Sequence, residues 1–74
     1  MPNARGYAVI DGTGTILVRT VSETLRAAKV NWLGTYGRQD VRDYWTDKQI
    51  AEAFDFLRGV CDVAEVEIRI KRHG

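Results

Sequence analysis

Cysteine, histidine and proline are nearly missing from this sequence, which has one of each among its 74 residues. Cys61 has no second cysteine in the chain with which to form an internal disulfide or a zinc cluster, so we expect a reduced, mostly buried thiol. The only histidine, His73, stands in the C-terminal tail, where no serine or cysteine has a plausible partnership with it. We therefore expect a protein that is not an enzyme and that binds neither a metal nor a cofactor.

Long apolar runs and an excess of charge of one sign are missing too. The apolar runs span a few residues, whereas a bilayer-crossing helix needs about 20. Residues 1–6 lack the hydrophobic region of a signal peptide. A net charge of +1 and a pI of about 7.9 match neither a generic polyanion binder nor an acidic mimic of DNA. We expect a cytoplasmic protein without a membrane segment.

The composition that is present belongs to an ordinary globular domain. Apolar residues make up 45% and charged residues 28% of the chain, and no low-complexity run interrupts it. A chain of this length forms one domain, which buries only about 60% of its unfolded surface. We predict a single domain over residues 1–74, frayed at residues 1–5 and 72–74.

The first third of the chain is typical of a β-hairpin. Residues 7–10 and 15–20 are rich in β-branched side chains and flank a turn at residues 11–14. Residues 9–15, Val-Ile-Asp-Gly-Thr-Gly-Thr, resemble the phosphate-binding hairpin of the actin and sugar-kinase superfamily. Those folds need a second phosphate loop and a far longer chain, and no Walker-type Lys-Ser/Thr follows the glycines. We interpret the segment as a tight turn, in which glycine supplies positive φ angles.

A first helix is predicted after the hairpin. Thr20 and Glu23 fit a capping box, and Ser22 is a competing N-cap. Apolar residues then recur at i, i+4, i+7 and i+11, namely Val21, Leu25, Ala28 and Trp32. Trp32 is expected in the core, and Gly34 is expected to end the helix.

A second helix has the clearest local signal in the chain. Thr46 and Gln49 form a capping box, and Trp45 and Ile50 form a hydrophobic staple. The predicted buried stripe is Ile50, Ala53, Phe54 and Leu57. Gly59 is expected to end this helix.

Residues 64–71 alternate between apolar and charged side chains, which predicts a half-buried strand. The element order is then ββααβ. We predict an α+β fold, a two-layer sandwich in which a three-stranded, mainly antiparallel sheet packs on two helices. The last strand would run antiparallel to the second or parallel to the first, and charge alternation favours the second, which gives the order 1-2-3. We expect a monomer or a weak homodimer, in which the open edges of two sheets would pair.

The connection between the helices is the segment that these structural roles explain least. The connection at residues 36–44 is longer than two packed helices usually need. It combines aromatic side chains with charges of both signs. Tyrosine and arginine are enriched in interface hot spots, where mixed charge helps orientation. The candidate partner-binding residues are Tyr36, Arg38, Asp40, Arg42, Asp43 and Tyr44.

Nucleic acid is the second class of partner that this loop suggests. The tyrosine rings and the guanidinium groups are the ingredients of a platform for single strands. Asp40 and Asp43 would repel phosphates, so we favour a protein partner.

A metal site is a third interpretation of the same segment. Asp40, Asp43 and Asp47 would line up on a continuous helix as ligands for a hard cation. The cap at Thr46 interrupts such a helix, and arginines stand between the acids. We interpret the acids as a solvated charge cluster.

The layout as a whole, with the helix opening Trp-Thr-Asp-Lys-Gln-Ile-Ala-Glu-Ala-Phe at residues 45–54, resembles the very short α+β proteins of phages and prophages. Some of those proteins are anti-CRISPR inhibitors. The resemblance carries over no site residue. It implies a stoichiometric inhibitor that works in the host cytoplasm and occupies a surface of a larger protein complex, such as a CRISPR effector.

Overall fold

The structure, a computed structural model, describes residues 3–69 of the chain. Its elements are the strand β1 (Asn3–Ile10), a 3₁₀ turn (Val18–Thr20), the helices α1 (Leu25–Thr35) and α2 (Asp47–Leu57), and the strand β2 (Asp62–Arg69). The two strands pair antiparallel, with Gly6 opposite Val66 and Val9 opposite Val63. The chain is α+β, as predicted. Of the residues expected to fray, 3–5 belong to β1, whereas 1–2 and 72–74 lie outside the described part.

The predicted three-stranded sheet is wrong, because residues 15–20 do not form a strand. They make one isolated bridge, between Ile10 and Ile16, and then enter the 3₁₀ turn. The fully buried Thr20 hydroxyl accepts a hydrogen bond from the Val9 N–H at 2.8 Å and donates one to the Leu17 carbonyl at 2.6 Å. A side chain thus supplies the acceptor that a neighbouring strand's carbonyl would have provided.

The segment of residues 15–22 nevertheless covers one edge of β1. The Asp11 N–H donates to the Thr15 carbonyl at 3.0 Å, and the Leu17 N–H donates to the Val9 carbonyl at 2.9 Å. Tyr7 and Ser22 exchange two backbone hydrogen bonds, of 2.7 and 2.8 Å. Buried backbone groups require such partners, so this edge of β1 is closed.

The last strand therefore pairs with β1, and the predicted order 1-2-3 is wrong. Since residues 15–22 occupy one edge of β1, β2 takes the other edge. On an exposed face of this strand pair, the Glu65 carboxylate lies 3.4 Å from the Arg5 guanidinium of β1. A weak homodimer through the outer edge of β2 stays a prediction. Residues 70–71, the end of the predicted strand, lie outside the described residues.

Helix α1 begins later than its sequence pattern predicts. Thr24 is the N-cap, and its side chain accepts a hydrogen bond from the Ala27 N–H at 3.1 Å. Thr20 is occupied in the 3₁₀ turn, and the Ser22 hydroxyl accepts from the Asn31 side-chain amide at 2.7 Å. The predicted capping box at Thr20 is therefore wrong.

The end of α1 is shifted as well. Gly34 lies inside the helix, and Tyr36 is the C-cap. The N–H groups of Tyr36 and Gly37 both donate to the Trp32 carbonyl, at 2.8 and 3.0 Å, which carries the helical turn past Gly34. Gly34 is thus not the stop that the sequence suggested.

Helix α2 confirms its predicted boundaries. The Gln49 N–H donates to the Thr46 hydroxyl at 3.1 Å, and the Thr46 N–H donates to the Gln49 side chain at 2.7 Å, so both halves of the capping box are present. Trp45 packs partly buried against the core cluster that contains Ile50, as the staple requires. Gly59 follows the C-cap with a φ of +58°, a conformation that favours glycine.

The core places α1 at the centre of the molecule. Its buried cluster is Val9, Trp32, Leu33, Ile50 and Phe54. The rings of Trp32 and Phe54 meet edge to face, with centroids 5.2 Å apart, which confirms Trp32 as a core residue. Helix α1 packs on both strands and on α2, whereas α2 approaches only α1 among the described helices and strands. The helices thus do not lie side by side on the sheet, as the predicted two-layer sandwich required.

Replacing Thr20 by valine should destabilise the protein by about 1–3 kcal/mol, because the buried Val9 N–H loses its acceptor while the side-chain volume is kept. Urea denaturation measures the change. Thr35→Val is the matched control: this exposed helical threonine has no side-chain hydrogen bond in the described residues, and its replacement should change stability by less than about 0.5 kcal/mol. Equal losses in the two variants would contradict the role of Thr20.

Candidate functional site

The loop of residues 36–46 connects α1 to α2 and carries all of the predicted partner-binding residues. Each of the six is exposed: Tyr36, Arg38, Asp40, Arg42, Asp43 and Tyr44. Tyr44 is 79% exposed and Tyr36 is 44% exposed. Two aromatic side chains and four charged ones therefore reach solvent from one short segment.

The first half of the loop is held by the end of α1. The Gln39 N–H donates to the Leu33 carbonyl at 2.9 Å, just after the bonds that close the helix on Trp32. Between these anchors, Arg38 adopts a left-handed conformation, with a φ of +53°. This conformation is uncommon for a residue other than glycine and persists where its surroundings hold it. The bend at Arg38 therefore has a defined direction.

The second half is held from α1 and from the core. Arg26 donates to the Trp45 carbonyl at 3.2 Å and forms an ion pair with Asp47 at 2.7 Å. The Trp45 N–H donates to the Arg42 carbonyl at 3.0 Å, which closes a turn. Val41 and Trp45 are half-buried against the core. The loop is thus anchored at both ends and in the middle.

The charges of the loop largely cancel. Arg42 and Asp40 form an ion pair at 2.5 Å, and both side chains are more than half exposed, so the pair contributes at most about 1 kcal/mol. Arg38 and Asp43 have no ion pair within the described residues. The loop offers one free charge of each sign beside the Arg42–Asp40 pair.

The three acids that suggested a metal site are separated by their partners. Asp40 pairs with Arg42, and Asp47 pairs with Arg26. The cap at Thr46 interrupts the helix that would have aligned them. Among residues 3–69, no group of three or more histidine, cysteine or acidic side chains is arranged to hold a metal ion.

A second exposed surface lies on α2 and was missed by the sequence reasoning. We call it the α2 groove; it has a volume of about 390 Å³ and is lined by Trp45, Gln49, Glu52, Ala53 and Phe56. Phe56 is 87% exposed. The signal was present in the sequence, because Phe56 falls outside the i, i+3, i+4, i+7 stripe of α2, in which Ile50 and Phe54 are buried while Leu57, predicted to be buried, is 38% exposed. An aromatic residue off the buried stripe of a helix must face solvent or a partner.

The turn after β1 uses its own carboxylate. Asp11 Oδ1 accepts hydrogen bonds from the Thr13 N–H at 2.9 Å, the Thr13 hydroxyl at 2.6 Å and the Thr15 N–H at 3.0 Å. The hydrogen bonds from Thr13 and Thr15 hold the pKa of the Asp11 carboxyl below its ordinary value. Asp11 thus stabilises the tight turn that the sequence predicts at this place.

Because the folded-state pKa of Asp11 is lowered, its ionised form adds stability above the ordinary pKa of about 3.9, and this contribution is lost as the pH falls through the folded value. Replacing Asp11 by asparagine should therefore lower the free energy of unfolding near neutral pH. In acid, where wild type loses the contribution of the carboxylate, the difference in unfolding free energy between variant and wild type should become smaller. Urea midpoints across the acid range measure this. Thr35→Val, which removes no titratable group, is the control, and its difference from wild type in unfolding free energy should stay constant across the same pH range. A constant difference for Asp11→Asn would contradict the prediction.

Comparisons with known proteins identify no relative from which a function of the loop or of the α2 groove could be inferred. No family model, curated protein or solved structure matches the chain. Within residues 3–69, neither helix has the length and apolar character that a bilayer span requires. The anchored loop and the α2 groove are the surface features on which a function can be argued.

Proposed function

We propose that this protein is a non-enzymatic binding protein that occupies a surface of a larger protein complex through the loop of residues 36–46. The observation that carries the proposal is the combination of exposure and anchoring. Six aromatic or charged side chains reach solvent from a loop whose backbone is hydrogen-bonded to α1 at both ends.

Anchoring supports binding because it lowers the entropy lost on association. A flexible loop must be ordered when it binds, whereas a preorganised loop is ordered before the partner arrives. The hydrogen bond from Gln39 to Leu33 and the hydrogen bond from Arg26 to the Trp45 carbonyl do this ordering in the free protein. The exposed rings of Tyr36 and Tyr44 then provide contact area of the kind found in hot spots.

The charge pattern favours a protein partner over nucleic acid. A binder of phosphates concentrates positive charge, which releases counterions from the nucleic acid. Here Asp40 and Asp43 offset Arg38 and Arg42, and Arg42 is already paired with Asp40. A protein surface of mixed charge can answer both signs. Nucleic-acid binding through the tyrosine rings and Arg38 is the second candidate.

The narrower form of the proposal is an inhibitor of a host defence complex. The resemblance to short phage and prophage proteins supports it, with a CRISPR effector as the partner and the host cytoplasm as the place of action. An inhibitor that occupies a surface of its target acts stoichiometrically. It requires only a rigid, exposed surface of its own. The anchored loop meets that requirement.

A capture experiment from host lysate tests the loop. A variant with Tyr36→Ala, Arg38→Ala and Tyr44→Ala should capture at least about tenfold less of the partner complex than wild type does. The reason is that each hot-spot truncation weakens binding by about 1–2 kcal/mol or more. The control carries Val18→Ala and Arg19→Ala, at exposed positions in the 3₁₀ turn, and should capture as wild type does.

Equal capture by the loop variant and the control would contradict the proposal. Thermal unfolding of both variants shows that each is folded. If the loop variant instead loses a salt-sensitive gel shift with single-stranded nucleic acid, the second candidate is the better one.

Phage plating tests the narrower form. Expression in a CRISPR-immune host should restore plaques of a targeted phage for the wild type and for the Val18/Arg19 control, but not for the loop variant, because occupation of the effector requires the loop. Plaque counts across hosts with different CRISPR types measure the effect. No protection in any host would exclude CRISPR inhibition and leave the wider proposal to the capture experiment.

A further inference from the structure

We propose that the α2 groove is a second binding site, which takes an arginine side chain of a protein partner. None of the six loop residues lines the groove. Trp45, near the end of the loop of residues 36–46, does line the groove, but none of the residues replaced in the loop variant does, so the two proposals are tested separately. The inference follows from the rings, the space and the carboxylate that the groove brings together.

The apolar part of the groove is exposed and has room for a side chain. Phe56 is almost fully exposed, Trp45 is half-buried, and both line the groove together with the small side chain of Ala53. The volume of about 390 Å³ falls within the range of roughly 300–1,000 Å³ that is common for ligand sites. The two rings offer π faces and edges on which a planar group can stack.

Glu52 provides a charge that the fold itself does not use. Its exposed carboxylate has neither an ion pair nor a hydrogen bond within residues 3–69. The other acids of α2 have partners, since Asp47 pairs with Arg26 at 2.7 Å and Asp55 lies 3.8 Å from Arg58. Lys48, one turn before Glu52, forms no ion pair with it. The groove therefore has one uncompensated negative charge beside two rings.

Charge complementarity selects a cation as the occupant. A carboxylate attracts a cation, and the faces of tryptophan and phenylalanine attract it as well. A phosphate or a carboxylate would be repelled by Glu52, and a purely apolar group would desolvate Glu52 without giving it a partner. The molecule already shows this chemistry beside its core, where the ammonium of the half-buried Lys29 lies 5.6 Å from the centre of the Phe54 ring.

Arginine fits this groove better than lysine does. The guanidinium group is planar, stacks on aromatic rings and is more weakly hydrated than an ammonium group. It can also donate two parallel hydrogen bonds to one carboxylate. Stacking on the ring of Trp45 or Phe56 while bonding Glu52 uses each of these properties.

Titration of the full chain with N-acetyl-arginine amide tests the site by NMR. We expect saturable shifts of the Trp45 indole N–H and the Gln49 side-chain amide. N-acetyl-citrulline amide, which replaces the guanidinium by a neutral group of the same shape, should bind at least about fivefold more weakly. Glu52→Gln should weaken arginine binding by a similar factor.

Matched variants keep this test decisive. Glu23→Gln removes another exposed carboxylate without a partner in the described residues, and it should leave arginine binding unchanged. Phe56→Ala, at a side chain that contributes almost nothing to the core, should abolish most of the binding while thermal unfolding stays near wild type.

Three results of the titrations would overturn the proposal, and a fourth result would come from sedimentation. The three are equal binding of arginine and citrulline, equal effects of Glu52→Gln and Glu23→Gln, and the lack of saturable shifts at the groove. A homodimer that Phe56→Ala dissociates, seen by sedimentation, would make a second copy of the chain the occupant and would overturn it too. Each of these outcomes leaves the loop-variant capture result unaffected, so the two proposals fail separately.

Discussion

The hydrogen bonds of the Thr20 hydroxyl decide how the rest of the chain is arranged. By accepting from the Val9 N–H and donating to the Leu17 carbonyl, this buried group holds the 3₁₀ turn against β1, between the backbone hydrogen bonds that Leu17 and Ser22 make with the strand. A hydroxyl can do both because it is a donor and an acceptor at once. With one edge of β1 closed in this way, β2 can pair only with the other edge. Both the sheet and the position of α1 depend on this choice.

The central position of α1 explains why the loop that follows it is well held. One face of the helix delivers Trp32 and Leu33 to the core, and its last carbonyls accept from the loop backbone. Arg26, near its other end, reaches the far end of the same loop. The loop is therefore held by the helix that packs on both strands and on α2. Because the bonds that hold the loop are made by the backbone and by Arg26, the side chains of Tyr36, Arg38 and Tyr44 remain exposed to a partner.

The acidic side chains separate into two groups with different roles. Asp40, Asp47 and Asp55 have arginine partners, and Asp11 is held by its own turn. Glu52 has no such partner in the described residues and lies beside exposed rings. Exposed ion pairs contribute little to stability, so the difference matters mainly for recognition. A charge without an internal partner is available to an external one.

The sequence by itself determined α2, whose capping box, staple and glycine stop involve residues at most a few positions apart. It also indicated that Trp32 is buried and that the loop residues are exposed. It predicted Thr20 as the cap of α1, with Ser22 as the competitor, and did not point to Thr24, although all three have suitable hydroxyls. Contacts in the tertiary structure decide the cap. The Thr20 hydroxyl bonds the N–H of Val9, eleven residues away, and Ser22 bonds β1 through its backbone and Asn31 through its hydroxyl. Thr24 is the remaining hydroxyl residue, and it caps the helix. The missing third strand has the same cause, because partners distant in sequence compete for groups that local patterns treat as free.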